Sequence, residues 1–436
     1  MSLRTGSPEA EAVPSGQDQP PVSPDAPTAD PPFTGRPAAF SALQSRPFLL
    51  FWITISLSLT GVWVRITAQG WLVYDLTHDT FLLGLVSFCQ AAPVLIASPV
   101  AGAILDRVDR RRVLLVVQVV VAATMFILAT LVATGGIRVW QIMVLAVIAG
   151  TASGFDWPAR LSLVPALVPK NQLQSAVALN AAAFNGSRVV GPVIAGFLIG
   201  AVGVTACFYL NVAMYIPFIL VLASLAADRA LPAMTHQESA FRNLLSGYRY
   251  IWRTPTIRGL LSVDIVPLMF GISYFTLAPA VARDILGLGG RGLGLLLAAN
   301  GVGYLGGTIL VAAMGGVRRR GRIVVAGVAG YALLIVGYAV SGNVLLTGAL
   351  MLLLGLVVSV YGTLNDTLVQ TLVDDAYRGR VLAVYSMFWG LTPIGSVEAG
   401  LLAHHVGVQA ALAINGALVL CYAPVLWFKT PVRFIE

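Results

Sequence analysis

Arg65, Arg188, Asp264 and Glu398 are ionisable side chains set inside long apolar runs. A charge at the centre of a bilayer costs about 2.5–3.5 kcal/mol on insertion scales. A chain that keeps one there needs a partner or a use for it. A carboxyl group taken out of water takes up a proton more readily than one left in water. Asp264 and Glu398 are therefore candidates for exchanging protons, and Arg188 for holding an anion or neutralising Glu398. At about 1.5 Å of rise per residue, Asp264 lies roughly 10 Å in from one end of its run. By the same rise, Arg65, Arg188 and Glu398 lie roughly 22–26 Å in and are expected to share a level. Polar and aromatic residues recur in the same runs: Trp63, Gln69, Gln90, Gln118, Asn180, Asn185, Tyr274, Asn300, Tyr304, Tyr361, Tyr385 and Trp389. Packing between helices competes for each of them. As a group they suit a cavity for an organic molecule, where aromatics mix with a few placed polar groups. Arg65, Gln69, Asn185, Arg188, Tyr274 and Asn300 make up the expected cavity set.

The elements that must position these residues follow from composition. The chain has 436 residues, 57% hydrophobic and 11% charged, against about 25% charged in soluble domains. That balance predicts an all-α membrane protein. Spans of roughly 20 apolar residues fit at 48–72, 81–105, 113–133, 139–157, 173–199, 206–227, 257–281, 292–314, 323–341, 345–365, 381–403 and 409–428. They make twelve transmembrane helices. The net charge of +8 comes from basic residues clustered in alternate loops, so nucleic acid is not an expected partner. Arg107, Arg110, Arg111, Arg112, Arg160, Arg318, Arg319 and Arg320 fall on one side, against Arg138, Arg283 and Arg291 on the other. The positive-inside rule then places both termini in the cytoplasm of a cell with the chain in its inner membrane.

Residues 1–45 are rich in proline, with Asp, Ser and Gly between, and are expected to form a disordered cytoplasmic tail. No removable signal peptide is expected. Residues 46–227 and 257–436 read as two pseudo-symmetric six-helix bundles. Residues 228–256 join them, with SAFRNLLSGYRYIWRT carrying the stripe of an amphipathic helix. The halves resemble each other: LGLVSFCQ at 83–90 aligns with LGLLLAAN at 293–300, and IAGFLIGAVGV at 194–204 with EAGLLAHHVGV at 398–408. A repeat of this kind places a transport path at the interface of the halves.

The segment AGAILDRVDRRRV at 101–113 is a charged knot between two apolar runs and belongs in water. Its Gly102, Asp106, Arg107, Arg110 and Arg111 resemble the signature loop of the major facilitator superfamily of transporters. The stretches 71–86, 98–112, 158–180 and 377–386 are similar to the branch holding the enterobactin exporter and macrolide efflux pumps. The resemblance implies alternating access and export of a bulky organic molecule, siderophore or drug-like, by proton antiport. It also implies that Asp106 faces the N-terminus of span eleven, where a carboxylate gains about 0.3–2 kcal/mol. Gly191, Pro192 and Gly196 resemble the superfamily's antiporter motif, with the spacing displaced by one residue. Asp109 stands where the signature loop often has glycine. A facilitator or importer of a metabolite or lipid is the alternative within transporters, and a receptor or scaffold the alternative outside them.

No catalytic constellation stands out, and an enzyme is not expected. The histidines show no ligand spacing, Cys89, Cys207 and Cys421 sit in apolar runs, and GLGGRGLG at 287–294 follows no strand. Neither metal nor cofactor is expected. The expected partners are a small-molecule substrate, protons and lipid, and the expected state is a monomer.

Overall fold

The computed structural model describes residues 40–105, 108–224, 240–314 and 318–435. Every regular element among the described residues is helical. In hydrocarbon the backbone has no water to bond, so each span must satisfy its own amides and carbonyls. Among the described residues, eleven helices are long and apolar enough to cross a membrane. Spans one to six are Arg46–Thr77, Thr80–Leu105, Arg110–Ala133, Val139–Leu167, Leu173–Ala201 and Val204–Ser224. Span seven runs over Pro255–Ile285 and widens into π turns at Pro267–Gly271 and Val281–Ile285, next to prolines 267 and 279 that remove backbone donors. Spans eight, nine, ten and twelve are Gly290–Ala313, Arg320–Val340, Val344–Leu372 and Val408–Lys429. The segment expected as span eleven is divided. Helices Asp375–Met387 and Leu391–Val406 meet at a 3₁₀ turn, Phe388–Gly390. The described residues thus hold eleven candidate crossings and one broken segment where twelve transmembrane helices were expected.

Some spans outrun their expected ends. Span four continues to Leu167 and span ten to Leu372. Arg160, expected as a loop charge, is therefore inside span four, where only 3% of it is exposed. Its Nε lies 2.7 Å from Asp156 Oδ2, one helical turn back, which lets the helix carry the charge into apolar surroundings. Asp109 caps span three by accepting from the Arg111 amide at 3.0 Å. Ser41–Gln44, within the expected tail, is a 3₁₀ turn whose Ala42 is fully buried. The tail residues 1–39 lie outside the described residues. Ala240–Arg253 is a helix, with Leu245, Tyr248 and Trp252 exposed and Ile251 buried.

The packing pattern of spans one to six recurs in the later spans. Span two packs on four as eight packs on ten; three packs on four and six as nine packs on ten and twelve; one packs on five and six as seven packs on eleven and twelve. The aligned glycines show the same relation at atomic scale. A methyl group on Gly84 of span two would lie 2.3 Å from the Ser396 carbonyl oxygen of span eleven. At the aligned position, one on Gly294 of span eight would lie 2.5 Å from the Pro192 carbonyl oxygen of span five. The reciprocal positions match too: a methyl on Gly400 would lie 2.4 Å from the Thr80 carbonyl oxygen, and one on Gly196 2.9 Å from that of Gly290. Each aligned pair performs one task, the close approach of one half to the other, so the repeat is a structural pseudo-twofold.

Candidate functional site

The first cluster lies where spans one, five, seven and eight meet. The Arg188 guanidinium sits 4.1 Å from the Tyr304 ring centroid and 5.3 Å from that of Trp63. Its Nη2 donates to Asn300 Oδ1 at 3.5 Å. Asn300, 1% exposed, donates to the Tyr274 hydroxyl at 3.3 Å and the Met351 carbonyl at 3.1 Å. Aromatic rings continue the cluster through Phe275 against Trp63, and through Tyr331 and Tyr361 beyond Tyr274. Among the described residues no carboxylate pairs with Arg188, and its Nε has no hydrogen-bond partner. The cation is held by π faces and an amide, which leaves a charge for a ligand to meet. Of the expected cavity set, Arg188, Tyr274 and Asn300 are brought together. Asn185 is half-buried on span five and makes none of these contacts.

Arg65 and Gln69 belong elsewhere. Arg65, 4% exposed, donates through Nη1 to Gln90 Oε1 at 2.5 Å and to Gln69 Oε1 at 3.5 Å. Those contacts lie within the first half. Glu398 is also separate: it accepts from Asn415 Nδ2 at 3.1 Å and lines an apolar groove with Leu85, Phe88 and Leu401. Arg65, Arg188 and Glu398 therefore do not form one cluster. Each has its own amide partner, and Arg188 does not neutralise Glu398. Amides satisfy a lone buried charge without a counter-ion, a solution that residue depth alone does not reveal.

The second cluster surrounds Asp264, 8% exposed. Its Oδ2 accepts from Asn365 Nδ2 at 2.8 Å and lies 2.5 Å from the Tyr385 hydroxyl. The same hydroxyl is 2.7 Å from Asp366 Oδ1. Spans seven and ten and the first helix of the divided segment thus meet at one phenol. Asp366 was not foreseen, because span ten was expected to end at 365; one further turn of helix carries it into the site.

Among the described residues, contacts between the halves gather at mid-span and at the end away from Arg46 and Lys429, the far end. Tyr74 donates to Asp284, and Arg283 pairs with Asp75. Thr80 Oγ1 donates to the Gly400 carbonyl at 3.0 Å, and His404 Nδ1 lies 3.0 Å from Asp79 Oδ1. The Arg283–Asp75 side chains are 30% and 46% exposed, and pairs that wet are worth about 0–1 kcal/mol. Arg283→Ala is expected to shift the closed–open balance at the far end by no more than about fivefold, read as a spin-label distance across that end.

In the signature loop, Asp106 and Arg107 lie outside the described residues. Arg111 Nη2 reaches the Ala223 carbonyl at 3.3 Å, and Arg112 pairs with Asp109 at 3.5 Å. Gly191 and Gly196 of the antiporter-like motif are packing positions. A methyl on Gly191 would meet Trp63 Cβ of span one at 2.4 Å, and one on Gly196 the Gly294 Cα of span eight at 2.7 Å. Pro192 lies inside span five, its carbonyl facing Gly294.

This twofold helical architecture, with polar sites buried in membrane helices, is that of a multi-pass transporter of the major facilitator superfamily. Residues 37–436 match the family of transmembrane secretion effectors, and the chain belongs to it. It is 24% identical over 392 residues to the staphyloferrin A transporter of Staphylococcus aureus (strain NCTC 8325 / PS 47), covering 88% of this chain and 94% of that one. It is 27% identical to the multidrug efflux pump Tap of Mycolicibacterium fortuitum, covering 86% and 93%. It is 22% identical to macrolide efflux protein A of Streptococcus pyogenes, covering 89% and 97%. A point mutant of the nucleoside transporter NupG shares the fold with a TM-score of 0.72 at 11% identity, covering 88% and 99%. A D-xylose-proton symporter does so with a TM-score of 0.65 at 16% identity, covering 88% and 98%.

Proposed function

We propose that this chain exports a bulky organic molecule, siderophore-like or drug-like, in exchange for protons. Residues 46–227 and 257–436 move as two halves joined by 228–256, with both termini in the cytoplasm. The observation that carries the reading is Asp264: an acid buried in a membrane helix, held by neutral donors and by no basic side chain among the described residues. A carboxyl so placed changes charge at low cost when a proton arrives. The names of the relatives, a siderophore transporter and two drug efflux pumps, support the direction and the substrate class. In the proposed cycle the far-end contacts are the outer gate, closed in this state. Gly102, Asp106, Arg107, Arg110 and Arg111 form the latch at the cytoplasmic end.

Substrate meets Arg188 beneath Trp63 and Tyr304. Hydrogen bonds to a charged group contribute about 1.5–3 kcal/mol. Arg188→Gln is therefore expected to raise the half-saturating concentration of an anionic substrate about tenfold or more while leaving the maximal rate within about twofold. The test is flux in proteoliposomes with an imposed pH gradient, using an iron-free polycarboxylate siderophore, a macrolide and a cationic dye as probes. Uphill movement of at least one probe that stops when the gradient is collapsed supports proton-driven export. Movement of all probes only down their own gradients contradicts it and favours a facilitator.

A further inference from the structure

We propose that Asp264, Tyr385 and Asp366 hold one exchangeable proton among them, and that its loss frees the helix Asp375–Met387. This rests on the reading of Asp264 as the coupling acid and adds a second carboxyl and a relay to it.

The Tyr385 oxygen lies 2.5 Å from Asp264 Oδ2 and 2.7 Å from Asp366 Oδ1. A phenol carries one O–H and donates once. Its contact with the second carboxyl is a hydrogen bond only if that carboxyl brings its own proton. Asn365 supplies none to Asp366: its amide hydrogens go to the Leu260 carbonyl at 3.2 Å and to Asp264 Oδ2 at 2.8 Å, with Tyr385 at 3.5 Å. Two arrangements give both carboxyl contacts of Tyr385 a hydrogen. Either Tyr385 donates to Asp264 and protonated Asp366 donates to Tyr385, or protonated Asp264 donates to Tyr385, which donates to Asp366. Both hold one proton beyond the phenol's own, and the two interconvert by passing protons through the hydroxyl. With both carboxylates ionised, one of the two short contacts would set lone pair against lone pair.

The surroundings leave the charge to these groups. The other titratable side chains facing Asp264 are Tyr361 and Tyr422; the Tyr422 hydroxyl donates to the Ser262 carbonyl at 2.8 Å. Two basic residues of neighbouring elements are turned elsewhere. Arg258 lies on Trp252 and donates to its carbonyl, and Arg433 lies on Trp427, Phe428 and Phe434. Asp366 is exposed where Asp264 is buried, so the proton leaves to water from Asp366 and reaches Asp264 through Tyr385.

Tyr385 also fixes what moves. It stands in the last turn of Asp375–Met387, directly before the 3₁₀ turn Phe388–Gly390, and such turns serve as hinges. Besides the carboxyl bridge and the burial of Val381 and Val384 in the apolar core, this helix is tied to the linker: Tyr377 stacks on Tyr250 at 4.6 Å, and the Tyr250 hydroxyl donates to Asp374 Oδ2 at 3.1 Å. Loss of the proton leaves two carboxylates and one hydrogen, and the contact without a hydrogen opens. Asp375–Met387 and the linker helix then swing together about the turn.

The experiment is infrared difference spectroscopy of the purified full chain in nanodiscs, with no substrate, titrated from mildly acidic to alkaline pH. One protonated-carboxyl C=O band is expected in wild type, and its loss is expected in both Asp264→Asn and Asp366→Asn. Asn has the shape of the acid, and Asp366 is exposed, so the second variant retains the fold. A band that survives Asp366→Asn but not Asp264→Asn overturns the shared proton and leaves Asp264 acting alone. A wild type with no such band overturns the proposal outright. If the bands behave as expected but Asp264→Asn still exports against a pH gradient in proteoliposomes, the coupling reading fails while the shared proton stands.

Discussion

Asp264→Asn is expected to abolish accumulation driven by a pH gradient while exchange of substrate at equal pH persists. Asn keeps the shape and polar contacts of the protonated acid but has no proton to lose. The variant therefore holds the neutral state at every pH. One pH unit is worth 1.36 kcal/mol per proton, about a tenfold concentration ratio for one-for-one exchange. Wild type should approach that ratio per unit of gradient, and the variant should stay near equality. The measurement is internal against external substrate in proteoliposomes at steady state. An accumulation ratio in the variant equal to wild type would remove Asp264 from the coupling. Its burial at 8% exposure in an apolar span would then be purely structural.

Gly294→Val is expected to leave the protein folded but to open the far end and reduce export at least tenfold. Carbon atoms in contact rest about 3.5–4.0 Å apart. A Cβ on Gly294 would lie 2.5 Å from the Pro192 carbonyl oxygen and 2.6 Å from Gly196 Cα, so spans five and eight must part by on the order of 1 Å. That contact joins the two halves that the proposed cycle swings apart, so rocking would relieve the strain. Gly303 provides the contrast. A Cβ there would lie 1.8 Å from the Leu352 carbonyl oxygen, between spans eight and ten of one half. Rocking does not relieve that clash. Gly303→Ala should therefore lower thermal stability by about 1–3 kcal/mol, the usual cost of overpacking. Comparable melting losses in both variants, with no change of far-end distance for Gly294→Val, would refute a moving interface at spans five and eight.

How far the sequence could be read depended on what each signal costs. Asp264, Arg188, Tyr274 and Asn300 were visible because a polar group in an apolar run is expensive and rarely idle. The glycine contacts were visible as a repeat, since each half needs its own close approach to the other. Asp366 was hidden by a boundary: a carboxylate at 366 looked like the start of water, whereas the helix continues to Leu372. Asp156 and Arg160 were hidden in the same way, although their i, i+4 spacing is the signature of a pair on one helix face. The break at Phe388–Gly390 left no mark in hydropathy, because both pieces are flanked by apolar residues. Arg65, Arg188 and Glu398 were grouped by depth along their helices, while each one's neighbours across the helix face decided its partner.

The most direct test is a pair of spin-label distances in a variant whose Cys89, Cys207 and Cys421 are replaced by serine. One pair sits at Val202 and Val406 of the far end, the other at Arg112 and Leu372 near the opposite end. Raising the pH should lengthen the first distance and shorten the second, and in Asp264→Asn without substrate both should keep their low-pH values at every pH. Two distances that ignore pH, or that change in the same sense, would contradict a proton-driven rocking of the halves.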